Sequence, residues 1–199
     1  MKINDLGATG LRVSEVCVGT SPLGGMPLIY GYDVAASSAY DAVRETFDSA
    51  INFLDTSNEY GRGESERRIG YVIAERGGLP DGFVLATKVD PSPGAGTFPG
   101  SRVAESFDES VSRLGVTYIP LLYLHDPSRF DVDDITAPGG PVARMIELKE
   151  EGRVASLGGA DGSLGLVARH AHTAAFYVAL HHNMFTLLDR RADSLIDRL

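Results

Sequence analysis

Residues 83–125 open on Phe83-Val84-Leu85-Ala86-Thr87-Lys88 and close on Ile119-Pro120-Leu121-Leu122-Tyr123-Leu124-His125. Between these apolar runs, Val103, Phe107, Val111 and Leu114 recur at helical spacing, and Gly115 stands where the helix must stop. A strand, a helix and a second strand of this kind form a crossover unit, which predicts that the two strands lie parallel.

The same unit recurs on either side. Upstream, Glu15–Gly19 and Asn52–Asp55 read as strands, with helices over Ala39–Ala50 and Glu64–Arg76. Downstream, Pro141–Glu151 reads as a helix opened by proline, and Val154–Leu157 and Tyr177–Leu180 read as a fifth and sixth strand. A weak helical pattern covers Leu164–His172, and Ala192–Leu199 starts a sixth helix. Asp126–Gly140 reads as a long loop, of the kind that shapes pockets on rigid scaffolds. The expected fold is α/β with a parallel sheet, doubly wound or closed into a barrel, and residues 1–199 are expected to form one domain.

Composition narrows the function classes. A formal net charge of −9, with no cluster of Lys or Arg, argues against a nucleic-acid partner, because phosphate binding needs gathered cations. No apolar run approaches the length of a membrane span, and no apolar core follows Lys2, so a cytoplasmic protein without a signal peptide is expected. Cys17 is the one cysteine; it sits in an apolar run and is expected to be buried.

Three polar residues close three successive apolar runs: Asp55, Lys88 and His125. In a parallel barrel the C-terminal strand ends share one face, where active sites of that architecture are built. Tyr60 follows Asp55 closely enough to fold over the same face. A phenol of ordinary pKa ~10 is a weak acid at neutral pH, and a neighbouring ammonium is expected to strengthen it. Lys88 is placed to act so, with Asp55 as its counterion and His125 at a substrate oxygen, a set suited to protonating a carbonyl during hydride transfer. Taken one at a time, each is an ordinary polar strand end.

Weaker signals have plainer readings. Gly61-Arg62-Gly63 is read as a turn, since no glycine-rich phosphate motif is present. His170, His172, His181 and His182 lack the carboxylate or cysteine spacing of a metal set, so no metal is expected. His170 and His172 are read as complementing a helix C-terminus.

The segments Leu6-Gly7-Ala8-Thr9-Gly10-Leu11-Arg12-Val13-Ser14, Phe53-Leu54-Asp55-Thr56-Ser57-Asn58-Glu59-Tyr60-Gly61, Ala86-Thr87-Lys88 and Leu121-Leu122-Tyr123-Leu124-His125 together resemble the aldo-keto reductase family. Gly139-Gly140-Pro141 and His182-Asn183 resemble its branch of L-fucose, aldose 1- and pyridoxal dehydrogenases. The resemblance implies a (β/α)8 TIM barrel that uses NADP or NAD without metal on a small carbonyl or sugar substrate. It implies Tyr60 as general acid or base, Lys88 and Asp55 tuning it, and His125 orienting the carbonyl. It also implies Gly19, Thr20, Asp55, His182 and Asn183 at the cofactor, while Ala160-Asp161 stands where the family places Ser-Asn.

A complete barrel takes about 250 residues, so about six βα units of an incomplete barrel are expected from 199. Unpaired edges would then favour self-association. The alternative function is that of a catalytically silent binding or regulatory homologue.

Overall fold

Side-chain parity along each strand decides how this chain folds. In Val84–Val89, Leu85 and Val89 point to one face and Ala86 and Lys88 to the other; in Ile119–His125, Leu122 and Leu124 oppose Leu121 and Tyr123. One face is covered by helices and the other forms the concave interior, so both faces are apolar and the strands read as continuous hydrophobic runs.

The computed structural model describes residues 1–163 and 175–196. An antiparallel hairpin of β1 (Ile3–Asp5) and β2 (Arg12–Ser14) precedes the main sheet. The sheet contains β3 (Val18–Gly19), β4 (Phe53–Asp55), β5 (Val84–Val89), β6 (Ile119–His125), β7 (Val154–Ala160) and β8 (Val178–Leu180). Its six strands lie in chain order and every neighbouring pair is parallel. Among the described residues, no pairing of β8 with β3 closes the ring. This is a six-stranded part of a TIM-type barrel.

Helix α1 (Pro27–Tyr30) is a single turn near the strand C-termini. The crossover helices are α2 (Ala36–Asp48), α3 (Glu64–Arg76), α4 (Gly100–Leu114) and, after the short α5 (Val132–Thr136), α6 (Pro141–Glu150). Each buries one stripe: Val43 and Phe47 on α2, Ile69, Val72 and Ile73 on α3, Val103, Phe107 and Leu114 on α4, Met145 and Leu148 on α6. These side chains form one core with Leu54, Leu85, Leu122 and Leu157 from the sheet. Leu6 and Leu11 of the hairpin pack instead on the interior set of Ala86, Leu121, Tyr123 and Ala160.

Several expectations need correction. The expected first strand, Glu15–Gly19, pairs only at Val18–Gly19, and the fifth runs on to Ala160. The loop Asp126–Gly140 contains a 3-10 turn and α5, whose first turn is capped by Asp131 accepting from the Asp133 N–H at 2.8 Å. The hairpin β1–β2 was not anticipated; its three-residue strands are too short and polar to show a period. Cys17 is exposed rather than buried; it precedes β3, which is an edge strand among the described residues. The expected helix Leu164–His172, with His170 and His172, lies outside the described residues, as do residues 197–199. No helix among the described residues is long and apolar enough to cross a membrane.

Candidate active site

Asp55 ends β4, Lys88 lies one residue before the end of β5, and His125 ends β6. Parity sends all three side chains inward, and the parallel order puts them at one mouth. Tyr60 comes from the loop between β4 and α3. That loop turns at Gly61, whose φ of 60° suits glycine and whose absent Cβ would lie 2.0 Å from the Gly24 carbonyl oxygen.

Lys88 is 1% exposed, so its ammonium must find partners inside the protein. It donates to Asp55 Oδ2 at 2.6 Å, to the Thr56 carbonyl at 2.8 Å and to Tyr60 Oη at 3.0 Å. Burial works against the ammonium, but Asp55 and Tyr60 more than offset it and Lys88 sits above the ordinary lysine range. Burial likewise holds the Asp55 carboxyl above its usual range, with Lys88 pulling it back.

Lys88 acts on the Tyr60 phenol in the expected direction, but burial acts against it. Burial is the larger influence, and the phenol ends above its ordinary value. Tyr60 is therefore a phenol rather than a phenolate at neutral pH. Lys88 occupies one lone pair of Oη, which leaves the phenolic proton free to point away from the ammonium.

Sequence reasoning missed Asp90. Its side chain is 2% exposed, and its Oδ1 lies 2.5 Å from His125 Nδ1. Ser57 donates to Asp90 Oδ2 at 2.5 Å, and the Glu59 backbone N–H reaches the same oxygen at 3.0 Å. Burial lowers His125, yet its hydrogen bond to the Asp90 carboxylate and the charge of that carboxylate prevail, and the imidazole is held above its usual range. Asp90 shares the parity of Lys88 just past the end of β5, so the strand-end rule that picked out Lys88 also reaches Asp90. Glu59, Asp90 and His125 each bring one possible ligand atom within 4.8 Å of the others, but Asp90 and His125 already use theirs on each other.

The loop carrying Tyr60 is anchored from α4. Asn58 donates to the Ser106 carbonyl at 3.0 Å and to Glu109 at 2.9 Å, while Arg102 holds Glu109 and pulls its carboxyl down to about 2. Arg113 bridges the Asn58 carbonyl and Glu66, a glutamate with no exposed surface that also accepts from Thr87 at 2.7 Å. Buried charges with this many partners fix a loop in place.

Asp55, Tyr60, Lys88 and His125 line a cavity of about 960 Å³, and His182 and Asn183 reach it from the far side. Gly19 pairs with Asp55 in the sheet but does not line the cavity. Thr20 is fully buried and uses its hydroxyl on the Asp55 carbonyl at 2.9 Å. Asp161, at the end of β7, accepts from the backbone N–H groups of Ser128 and Ser163 at 2.8 and 2.6 Å.

Whether the cavity suits a nicotinamide dinucleotide is testable on Asp55. Its Oδ1 is buried without a hydrogen-bond partner while the residue lines the cavity. An orphaned acceptor there suits a donor such as a ribose hydroxyl. Of the residues present, Asp55 suits the ribose side of that group.

Comparison with known proteins supplies the wider frame. The model of the Aldo/keto reductase family matches residues 15–197. L-galactose dehydrogenase of Arabidopsis thaliana is 35% identical over 158 residues, covering 79% of this chain and 48% of that protein. Pyridoxal 4-dehydrogenase of Microbacterium luteolum is 28% identical over 93% of this chain and 63% of its own length. This chain thus spans about half to two thirds of the length of those relatives. Among solved structures, a holo-form aldo-keto reductase from Bacillus halodurans superposes with a TM-score of 0.79 at 24% identity, covering 100% of this chain and 63% of that one.

Proposed function

The chain belongs to the aldo/keto reductase family, and from that premise we propose that it transfers a hydride between NADP or NAD and an aldehyde, ketone or sugar hemiacetal. The observation that carries the reading is the buried set of Lys88, Asp55 and Tyr60 beside His125 at the mouth of the sheet. The nicotinamide, when bound, supplies or accepts the hydride. Everything else falls to side chains of this protein. In reduction Tyr60 Oη releases its proton to the carbonyl oxygen, and Lys88, 3.0 Å away, stabilises the phenolate left behind. Asp55 keeps the ammonium in place, and Asp55 Oδ1 offers an acceptor to the cofactor ribose. His182 and Asn183, which line the cavity, would hold the carboxamide side of the nicotinamide. Gly19, by its pairing with Asp55, and Thr20, by its N–H and hydroxyl on the Asp55 carbonyl, position Asp55 beside the cofactor.

Besides the Asp55–Lys88 pair, the cavity wall carries Glu59, Asp126 and Asp161 against Arg62, a carboxylate-rich lining able to accept from substrate hydroxyls. This supports an aldose-type substrate, in keeping with relatives such as L-galactose dehydrogenase and the D-threo-aldose 1-dehydrogenase of a Pseudomonas species. The free edges of β3 and β8 support self-association, which sedimentation would show as a mass rising with concentration. A cytoplasmic location fits a protein that draws on a pool of nicotinamide dinucleotide.

The test is titration of the 199-residue protein with NADPH and NADH, followed by nicotinamide fluorescence, and then a turnover assay on aldehydes and aldoses. Saturable binding is expected, with consumption of reduced cofactor on an aldehyde or ketone, or formation of reduced cofactor from NADP or NAD on an aldose. Absence of binding contradicts the reading and favours a catalytically silent homologue.

A further inference from the structure

We infer that Asp90 is a positioning residue: with Ser57 it fixes His125 in the form that carries its proton on Nδ1, leaving Nε2 as the ring nitrogen available to the cavity. The case is one of elimination among hydrogen-bond roles. Around Nδ1 stand Asp90 Oδ1 at 2.5 Å and Ser57 Oγ at 3.2 Å. A carboxylate only accepts. Ser57 has one O–H, and that proton goes to Asp90 Oδ2 at 2.5 Å, so toward the ring Ser57 also only accepts. Both neighbours of Nδ1 are acceptors. A lone pair at Nδ1 would face two oxygens, and the proton must sit there.

The consequence for Nε2 follows. In the neutral ring it accepts, and in the imidazolium it donates; the Nε2–H neutral form is excluded. Asp90 favours the imidazolium, Asp126 acts in the same direction and Lys88 against it, while Tyr60 presents its ring edge-on at 5.8 Å. The same carboxylate accepts from the Glu59 N–H, one residue before Tyr60, so two of the four site groups are held at one point. Asp90 is in turn fixed by Ser106, whose hydroxyl accepts from its N–H at 3.0 Å, and by Arg102, which donates to its carbonyl at 3.1 Å.

The inference rests on the proposed function only for its kinetic consequence. Its test is long-range 1H–15N correlation NMR of the full chain labelled at histidine nitrogens, from about pH 5 to pH 8, with the His125 signals assigned by their loss in His125→Gln. The neutral wild-type ring is expected to be the Nδ1–H tautomer. In Asp90→Asn the ring should titrate at lower pH and populate the Nε2–H tautomer. If the protein turns over, the pH profile of kcat should move with the His125 titration, which a merely structural role would not produce. Two results overturn the inference: a wild-type ring in the Nε2–H form, which needs no variant to fold, or a folded Asp90→Asn with tautomer and titration unchanged. Because the NMR needs no cofactor, failure to bind dinucleotide would sink the proposed function alone.

Discussion

Lys88 Nζ and Asp55 Oδ2 stand 2.6 Å apart, with the Lys88 side chain 1% exposed and that of Asp55 11% exposed. A buried pair of this kind is costly to break from one side, because the surviving charge has no water to return to. Asp55→Asn should therefore destabilise the fold by about 3 kcal/mol. The double variant Asp55→Asn with Lys88→Met should recover part of that loss. Urea unfolding of the two variants decides this; a double variant no more stable than Asp55→Asn would show that the pair contributes little as a pair.

Gly61 holds the residue after Tyr60 in the left-handed region, against the backbone of Gly24. Gly61→Ala combines that conformation with a Cβ that would meet the Gly24 carbonyl, so the loop must shift. We expect a loss on the order of 2 kcal/mol and a larger fractional loss of kcat than of cofactor affinity. Equal loss of both, or of neither, would show that the Gly24–Gly61 contact does not place Tyr60.

Glu66 carries a pH signature. Burial is the largest influence on its carboxyl and holds it above the ordinary value, although Thr87 and Arg113 oppose this. A raised folded value means that the protonated acid suits the folded state better. The contribution of Glu66 to stability is thus fully present below the free-glutamate value of about 4.3 and is lost as pH rises through the folded value. The stability of the wild type relative to Glu66→Gln should be greater near pH 4 than near pH 7. A gap that widens toward neutral pH would mean that Arg113 outweighs burial.

Much of this site is legible in the sequence because it obeys one rule: polar side chains that end apolar strand runs converge at one mouth. Asp55, Lys88 and His125 all end such runs, and the structure brings them with Tyr60 to a single cavity. Asp90 lies one residue beyond β5 with the parity of Lys88, so the same rule extends to it, but its role shows only in the hydrogen bond to His125. The anchoring of Asn58 by Arg102, Glu109 and Arg113 is likewise invisible, since it joins side chains more than forty positions apart through α4. The exposure of Cys17 is not legible in its apolar run, because such a run is buried only where a neighbouring strand covers it, and β3 is an edge strand among the described residues. The direction of the Tyr60 shift needed the three-dimensional balance between burial and the nearby ammonium, which spacing along the chain does not contain.

The most direct test of the proton route is Tyr60→Phe, measured for turnover and for dinucleotide affinity in the same preparation. The substitution removes the phenolic proton while keeping the ring beside Lys88 and His125. Loss of a positioned general acid should lower kcat by roughly 10²- to 10⁴-fold, with cofactor affinity nearly unchanged. Turnover retained by Tyr60→Phe would place the proton donor elsewhere and contradict the account.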